Sequence, residues 1–217
     1  MMRSAPMALV ALFAAGLTFS AARSALRRSF GSALIHAGFA CVMAGWLLGR
    51  VAERTSTEER PAVGSMAMIA GDVSDKLWGG LYLTNYVGRV PFTVKLEQFF
   101  VDHYDPNDQD RDAGRMPPVR EYRSRVTISE PGQDPYVVNV RVNHPARVQG
   151  YHIYQMSWGQ STDASGQPVT YTVLQFIRDP GLPVVYAGFV VLFVGILLFA
   201  AKVWRASGRP EPGEVPR

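Results

Sequence analysis

Three long apolar runs dominate the hydrophobic pattern of the chain. No charged residue occurs within residues 4–22, 29–49 or 180–201. A helix of about 20 apolar residues is long enough to cross the hydrocarbon core of a bilayer. Each run therefore predicts a transmembrane helix. The first run, which ends in the small residues Ala21 and Ala22, also resembles a cleavable signal peptide.

Residues 50–179, between the second and third runs, alternate with period two instead. Three segments place apolar residues at every second position: Phe92, Val94 and Leu96; Val138, Val140 and Val142; Val169, Tyr171 and Val173. This alternation predicts strands with one buried face, here the face that carries those residues. We expect about five to seven antiparallel strands forming a sandwich or a partial barrel. The predicted fold class is an α+β membrane protein with three transmembrane helices and one extracytoplasmic β domain inserted between helices 2 and 3.

The charge distribution predicts the orientation of these elements. The net charge is +4, but residues 50–180 carry −2 and the remainder carries +6. Basic residues cluster beside the apolar runs: Arg23, Arg27 and Arg28; Lys202, Arg205 and Arg209. The positive-inside rule places both clusters in the cytoplasm and the β domain outside. Residues 202–217 are then a cytoplasmic tail, and a retained first helix is favoured because cleavage would leave the first cluster outside.

Composition excludes several classes of protein. Only 18% of the residues are charged and 47% are hydrophobic, which argues against a simple soluble enzyme. The basic residues flank apolar runs, so they do not indicate nucleic-acid binding. Cys41 is the single cysteine. The chain therefore has no intrachain disulfide, no zinc–cysteine cluster and no covalent c-type haem site of its own.

His36 is the candidate site residue, because it lies inside the second apolar run. Helical spacing places it on one face with Ser32, Ala33, Phe39, Ala40 and Met43. Gly38 and Gly45 nearby permit close helix approach. An intramembrane histidine usually faces a partner, a cavity or a cofactor. Spacing alone leaves two roles open, iron ligation and a hydrogen bond to a neighbouring helix.

Other polar candidates carry weaker signals. His144 precedes Pro145 and is predicted to be a turn residue. His103 and His152 lie in strand-like segments, and Cys41 is predicted to be a small apolar helix residue. The acidic segment 105–112 lacks the glycine and glutamate of a calcium loop, so it predicts a solvated loop.

Three stretches resemble the ResB/CcsB family of cytochrome c biogenesis proteins, the smaller membrane half of the system II haem-attachment machinery. They are VPFTVKLE at 90–97, VNHPARVQGYHIYQ at 142–155 and DPGLPVVYAGF at 179–189. The resemblance covers about residues 29–201. Family members have an extra helix before this core, so the expectation is a member shortened at the N-terminus or a misplaced start codon.

The resemblance implies haem handling with a larger membrane partner of the ResC/CcsA type. Haem b would be in transit from the cytoplasmic side to the outer face, where it is joined to apocytochrome c. His36 matches the family's intramembrane histidine and is the candidate axial ligand of the haem iron. The implied location is the cytoplasmic (inner) membrane of a bacterium, as a multi-pass protein in contact with the lipid bilayer and without a nucleic-acid partner.

The partner's tryptophan-rich haem-binding segment has no counterpart here. The four tryptophans are separated along the chain: Trp46, Trp78, Trp158 and Trp204. We therefore expect at most a subunit of a holocytochrome c synthase, with no catalytic residues of its own. Two alternatives are a structural membrane adaptor, in which His36 only packs, and an extracytoplasmic ligand-sensing membrane protein without haem.

Overall fold

The chain folds into a helical unit and a β unit. The computed structural model describes residues 5–26, 30–105, 117–162 and 165–207. The β unit spans Glu53–Asp179, and the helical unit comprises the chain up to Ala52 and from Pro180 onward. The sequence predicted the β domain over 50–179.

Three helices form the helical unit. They are α1 (Ala5–Leu26), α2 (Phe30–Arg54) and α3 (Leu182–Ser207). In α2 and in the part of α3 up to Arg205, length and composition suffice for crossing a bilayer. The apolar part of α1, Met7–Arg23, is shorter, so its crossing stays a prediction.

The described part of the β unit contains eight strands, more than the five to seven expected. They are β1 (Val63–Ile69), β2 (Val73–Gly79), β3 (Asn85–His103), β4 (Val119–Ser129), β5 (Tyr136–Arg141), β6 (Ala146–Val148), β7 (Tyr151–Thr162) and β8 (Pro168–Ile177). All neighbours pair antiparallel in one sheet of order β5-β4-β3-β2-β1-β8-β7-β6. The strand count was underestimated because β6 has only three residues and β2 mixes polar with apolar positions on both faces.

The single sheet rolls up around one apolar core, so it is a partial barrel rather than a sandwich of two sheets. Strand β5 at one edge lies against β6 and β7 at the other. Side chains from both halves of the sheet meet inside, including Val94, Val126, Val140, Ile153 and Phe176. The buried face of this continuous sheet is covered by the sheet itself, which closes back over its own core.

A buried polar cluster joins strands that are far apart in the sheet order. The Ser124 hydroxyl on β4 donates to Gln155 Oε1 on β7 at 2.6 Å. Gln155 Nε2 donates to Thr172 Oγ1 on β8 at 2.6 Å, and the two hydroxyl groups lie 3.1 Å apart. All three residues are buried. Because each polar group finds a partner inside the cluster, the core gains a fixed closure geometry without an unpaired donor.

At the surface, hydrogen bonds to Glu130 connect the two edges of the sheet, β5 and the turn after β6. One carboxylate oxygen of Glu130 accepts from the Tyr136 hydroxyl, and the other accepts from Gln149 Nε2, both at 2.6 Å. The hydrogen bonds from Tyr136 and Gln149 lower the pKa of Glu130, and the carboxylate in turn raises the pKa of Tyr136 to about 12. The turn before β5 is thereby connected to the turn after β6.

The predicted buried face is correct on β3, whereas on β8 only Val173 of the predicted set is buried, and it lies outside the core cluster. Phe92, Val94 and Leu96 are buried as expected. On β8 the residues facing the core are Leu174 and Phe176, with Thr172 in the polar cluster. The predicted set of Val169, Tyr171 and Val173 lies on the opposite face. Both faces of β8 carry apolar residues, so the alternation could not identify the core side.

Glycines at intervals of seven residues bring α2 and α3 into close antiparallel contact. The positions are Gly31, Gly38 and Gly45 on α2, and Gly181, Gly188 and Gly195 on or just before α3. A Cβ atom added at Gly38 would lie 2.5 Å from Leu192 N, and one at Gly188 would lie 2.7 Å from Val42 N. Only glycine leaves room for backbones this close. We call this contact the glycine seam.

The buried polar cluster predicts a large stability cost for losing one hydroxyl. Ser124→Ala leaves a buried amide oxygen without its donor, so the free energy of unfolding of the β unit should fall by about 2 kcal/mol. Denaturant titration of the full chain in detergent, monitored by near-UV circular dichroism of the tryptophans, measures this change. Ser129→Ala, at an exposed position of the same strand, should change it by less than about 0.5 kcal/mol. Equal effects of the two substitutions would contradict the closure role.

The glycine seam predicts a sharp dependence on side-chain size. Gly188→Val places a side chain against the backbone of α2, which should destabilise the helical unit by about 3 kcal/mol. Thermal unfolding of the full chain in detergent reports this loss. Gly16→Val is the matched control, because a Cβ at Gly16 on α1 meets no atom within 4 Å. A melting temperature preserved in Gly188→Val would show that the helices can separate without cost.

Candidate functional site

His36 is held by its own helix. Its Nδ1 atom lies 2.7 Å from the backbone carbonyl oxygen of Ser32, one turn earlier in α2. A carbonyl oxygen only accepts, so the proton of the neutral ring is on Nδ1. Nε2 then keeps its lone pair for another group. A histidine whose Nδ1–H is anchored by a carbonyl has the usual arrangement of an imidazole metal ligand.

His36 lies away from the glycine seam. It is five residues after Gly31 and two before Gly38, which places it about 140–160° around the helix from them. The close approach that Gly38 and Gly45 permit is therefore used by α3 on the opposite face of α2. Gly38 and Gly45 are close to His36 in the sequence, but they lie on a different face of α2 from the histidine. The His36 side chain is half-buried.

The other histidines have local structural environments. His144 closes a tight turn, in which its backbone N–H donates to the Arg141 carbonyl at 3.1 Å and its own carbonyl accepts from Arg141 N–H at 3.3 Å. Asn143 in that turn has a φ of 63°. His144 is thus a turn residue, as predicted.

His152 and His103 lie on strands, as the sequence predicted. The ring of His152 stacks on Tyr154 with centroids 6.2 Å apart. Burial, reinforced by Arg147 and opposed by Asp179, lowers the pKa of His152. His103 ends β3, where it pairs with Val119. Stacking on Tyr154 and strand pairing account for the positions of these two histidines.

Metal binding by a cluster of protein side chains has no support in the described part of the chain. No group of three or more histidine, cysteine, aspartate or glutamate residues is arranged to hold an ion there. Cys41 is a half-buried thiol in α2. Of the acidic segment at 105–112, only Asp105 belongs to the described residues, so the predicted solvated loop lies largely outside them. An isolated histidine can supply only one ligand to a metal, which leaves the other positions to a cofactor or a partner.

A groove of about 820 Å³ lies on the outer face of the sheet, along β1 and β8. Its lining is mainly apolar and includes Val63, Trp78, Leu81, Tyr82, Met156 and Val173. The apolar residues of β8 that were expected in the core, Tyr171 and Val173, line this groove instead. Strand β8 is apolar on both faces, because one face packs in the core and the other lines the groove. The alternation along β8 therefore indicated neither the core side nor the groove.

An antiparallel β unit inserted between two helices with membrane-spanning length and composition, one of which carries a histidine, defines a small class of α+β proteins. The chain belongs to the ResB-like family, whose pattern matches residues 8–169. The family resemblance read from the three sequence stretches is thereby confirmed. This family is membrane-associated and works in cytochrome c biogenesis. No curated protein matches the chain.

Proposed function

We propose that this chain is a haem-handling subunit of a system II cytochrome c assembly complex. With a membrane partner of the ResC/CcsA type, it would help to move haem from the cytoplasmic side to the outer face and deliver it to apocytochrome c. The observation that carries the proposal is the anchored imidazole of His36, whose Nε2 is left with a lone pair. Family membership supports the general role in cytochrome c biogenesis.

The proposed location is the cytoplasmic membrane of a bacterium, with the β unit outside. Helices α2 and α3 support the crossing by their length and composition, and α1 would add a third crossing. The basic residues after α3 and between α1 and α2 favour the cytoplasmic side for those segments. His36 would then lie within the hydrocarbon layer.

His36 has the properties that haem ligation requires. Neutral imidazole is a good axial ligand of haem iron, and haem in transit supplies an iron centre with an axial position for it. The carbonyl of Ser32 fixes the tautomer and orientation of the ring, which raises the basicity of Nε2. Because the glycine seam occupies the other face of α2, the histidine face can receive a ligand while α2 and α3 stay packed.

Attachment of haem to the apocytochrome thiols is assigned to the complex rather than to this chain. The tryptophans are dispersed, and the described residues hold no multi-residue metal cluster. The contribution of His36 would be to bind the iron and tune its potential. The β unit has no catalytic constellation among its described residues and would guide apocytochrome or brace the partner.

The histidine role predicts a specific loss and a chemical rescue. In the complex of this chain with its partner, His36→Ala should lower bound haem per protein at least about fivefold, because an axial bond is removed. The absorption spectrum of the purified complex and the yield of a reporter cytochrome c measure the effect. Added imidazole should restore part of both, because it can occupy the vacant axial position.

A matched control distinguishes ligation from folding. His144→Ala removes a turn histidine that lies outside the helices, so the haem spectrum at equal protein level should not change. A normal spectrum and normal cytochrome yield in His36→Ala would end the ligand proposal. That result would favour the adaptor alternative, in which His36 only packs.

The orientation predicts where fused reporters are active. A periplasmic reporter inserted near Ser161 in the β unit should be active, and one fused after Arg217 should be inactive, since the positive-inside rule puts the C-terminus in the cytoplasm. A cytoplasmic reporter at the same two positions should give the reverse pattern and serves as the control. Periplasmic activity at Arg217 would contradict the orientation.

The outer groove supports one alternative, an extracytoplasmic ligand-binding role without haem. Its volume of about 820 Å³ lies in the range of small-molecule sites. Met156→Arg would obstruct the groove from its β7 wall, at a position that is 52% exposed and therefore accommodates a charged side chain. If this change abolished cytochrome assembly while the haem spectrum of the complex stayed normal, the groove rather than His36 would be the functional site.

A further inference from the structure

The turn between β2 and β3 presents two large apolar side chains at its apex. Leu81 is 89% exposed and Tyr82 is 81% exposed, more than any other large hydrophobic residue described in the β unit. The N–H of Leu83 donates to the Gly80 carbonyl at 3.3 Å, which makes Leu81 and Tyr82 the two central residues of a β-turn. Exposed apolar residues side by side indicate a contact surface.

The turn is a built feature rather than a loose loop. Gly80 has a φ of 83°, and Leu83 has a φ of 53°, which is uncommon for a residue with a side chain. Directly below the apex, Trp78 and Tyr86 pack edge to face across the hairpin, with ring centroids 5.6 Å apart. The pair of aromatic rings supports the turn and keeps its apex projecting from the sheet.

Strand register places this turn at the end of the sheet where the chain arrives from α2 and departs to α3. Ser65 near the start of β1 pairs with Trp78, and Val63 pairs with Ile177 at the end of β8. The Gly80–Leu83 turn is therefore at the end that carries both connections. Only four residues separate Ile177 from Leu182, the first residue of α3, so the two are at most about 18 Å apart.

Basic side chains lie at the same end of the β unit. The backbone N–H of Arg178 donates to the Ala62 carbonyl, and its guanidinium donates to the Arg60 carbonyl at 3.2 Å. Glu58, Glu59 and Asp179 lie on the same connecting segments, so this end carries charges of both signs. The apolar apex is therefore the feature that suits a lipid surface, whose acyl boundary accepts leucine and tyrosine. Tyrosine is typical of this boundary, where its ring meets hydrocarbon and its hydroxyl meets water.

We propose that Leu81 and Tyr82 form an interfacial finger that inserts into the headgroup–acyl boundary of the membrane crossed by α2 and α3. The finger gives the β unit a third attachment to the lipid surface besides its two chain connections. It rests on the membrane placement proposed above and not on the haem role of His36.

The test uses the full chain reconstituted into phosphatidylcholine–phosphatidylglycerol vesicles. Cys41→Ala removes the native thiol, and Leu81→Cys then carries an environment-sensitive NBD label. Val73→Cys is the matched control, because Val73 is an apolar residue, 60% exposed, at the opposite end of β2. Val190→Cys on α3, 65% exposed, reports the membrane crossing itself. A nitroxide near the headgroup end of the lipid chains is the quencher.

The label at position 81 should emit at shorter wavelength than the label at 73 and be quenched at least about twofold, whereas the label at 73 should stay unquenched. Unquenched emission at 81 with quenching retained at 190 in vesicles with mid-chain nitroxide would refute the finger and leave the membrane placement standing. Loss of quenching at both 81 and 190 would refute the placement and the finger together. A blue shift at 81 that needs an added partner protein and shows no lipid quenching would also overturn the proposal, by making the apex a protein contact.

Discussion

Closure of the rolled sheet begins in the backbone, because its two edge strands, β5 and β6, are joined by the turn in which Arg141 and His144 exchange two backbone hydrogen bonds. Ser124 and Gln155 connect β4 with β7 in the interior, and Glu130 connects β5 with the β6–β7 turn at the surface. An open edge would expose backbone donors and acceptors and would leave one wall of the core wet. These polar contacts reinforce the backbone turn in keeping the apolar residues inside one enclosed volume.

The helical unit obtains its packing by a different route. Between apolar helices in lipid there is little hydrophobic drive for association, so close backbone contact has to supply the stabilisation. The glycine seam provides that contact at three positions on each helix, spaced seven residues apart. With His36 on the other face, the residues that hold α2 to α3 and the residue proposed to bind haem are not the same. A substitution of His36 should therefore leave the α2–α3 contact in place, so its effect on haem binding reports on the imidazole itself.

Sequence reasoning recovered the elements that rest on a single strong pattern. The apolar runs predicted the helices, and the clean alternation of Phe92, Val94 and Leu96 identified the buried face of β3. It failed where two demands fall on one strand, as on β8, whose outer residues form the groove wall. The polar cluster could not be predicted, because Ser124, Gln155 and Thr172 are far apart in the sequence and are residue types that also occur commonly on surfaces. The seven-residue spacing of the glycines can be found in the sequence, but the structure was needed to show that the glycines of α2 and α3 lie against the backbone of the other helix. The tautomer of His36 also required the structure, because it is set by a hydrogen bond to the backbone carbonyl of Ser32.

The seven-residue interval of the glycine seam also limits how the helices can move. From Gly31 to Gly45 the seam extends over 14 residues, about 21 Å of helix. A slide by one turn, about 5.4 Å, would bring the backbone of each helix against leucine, valine or phenylalanine side chains instead of glycine. Piston motion between α2 and α3 is thereby blocked at three points at once. Any rearrangement of the helical unit therefore has to carry α2 and α3 as one rod, pivoting or tilting together.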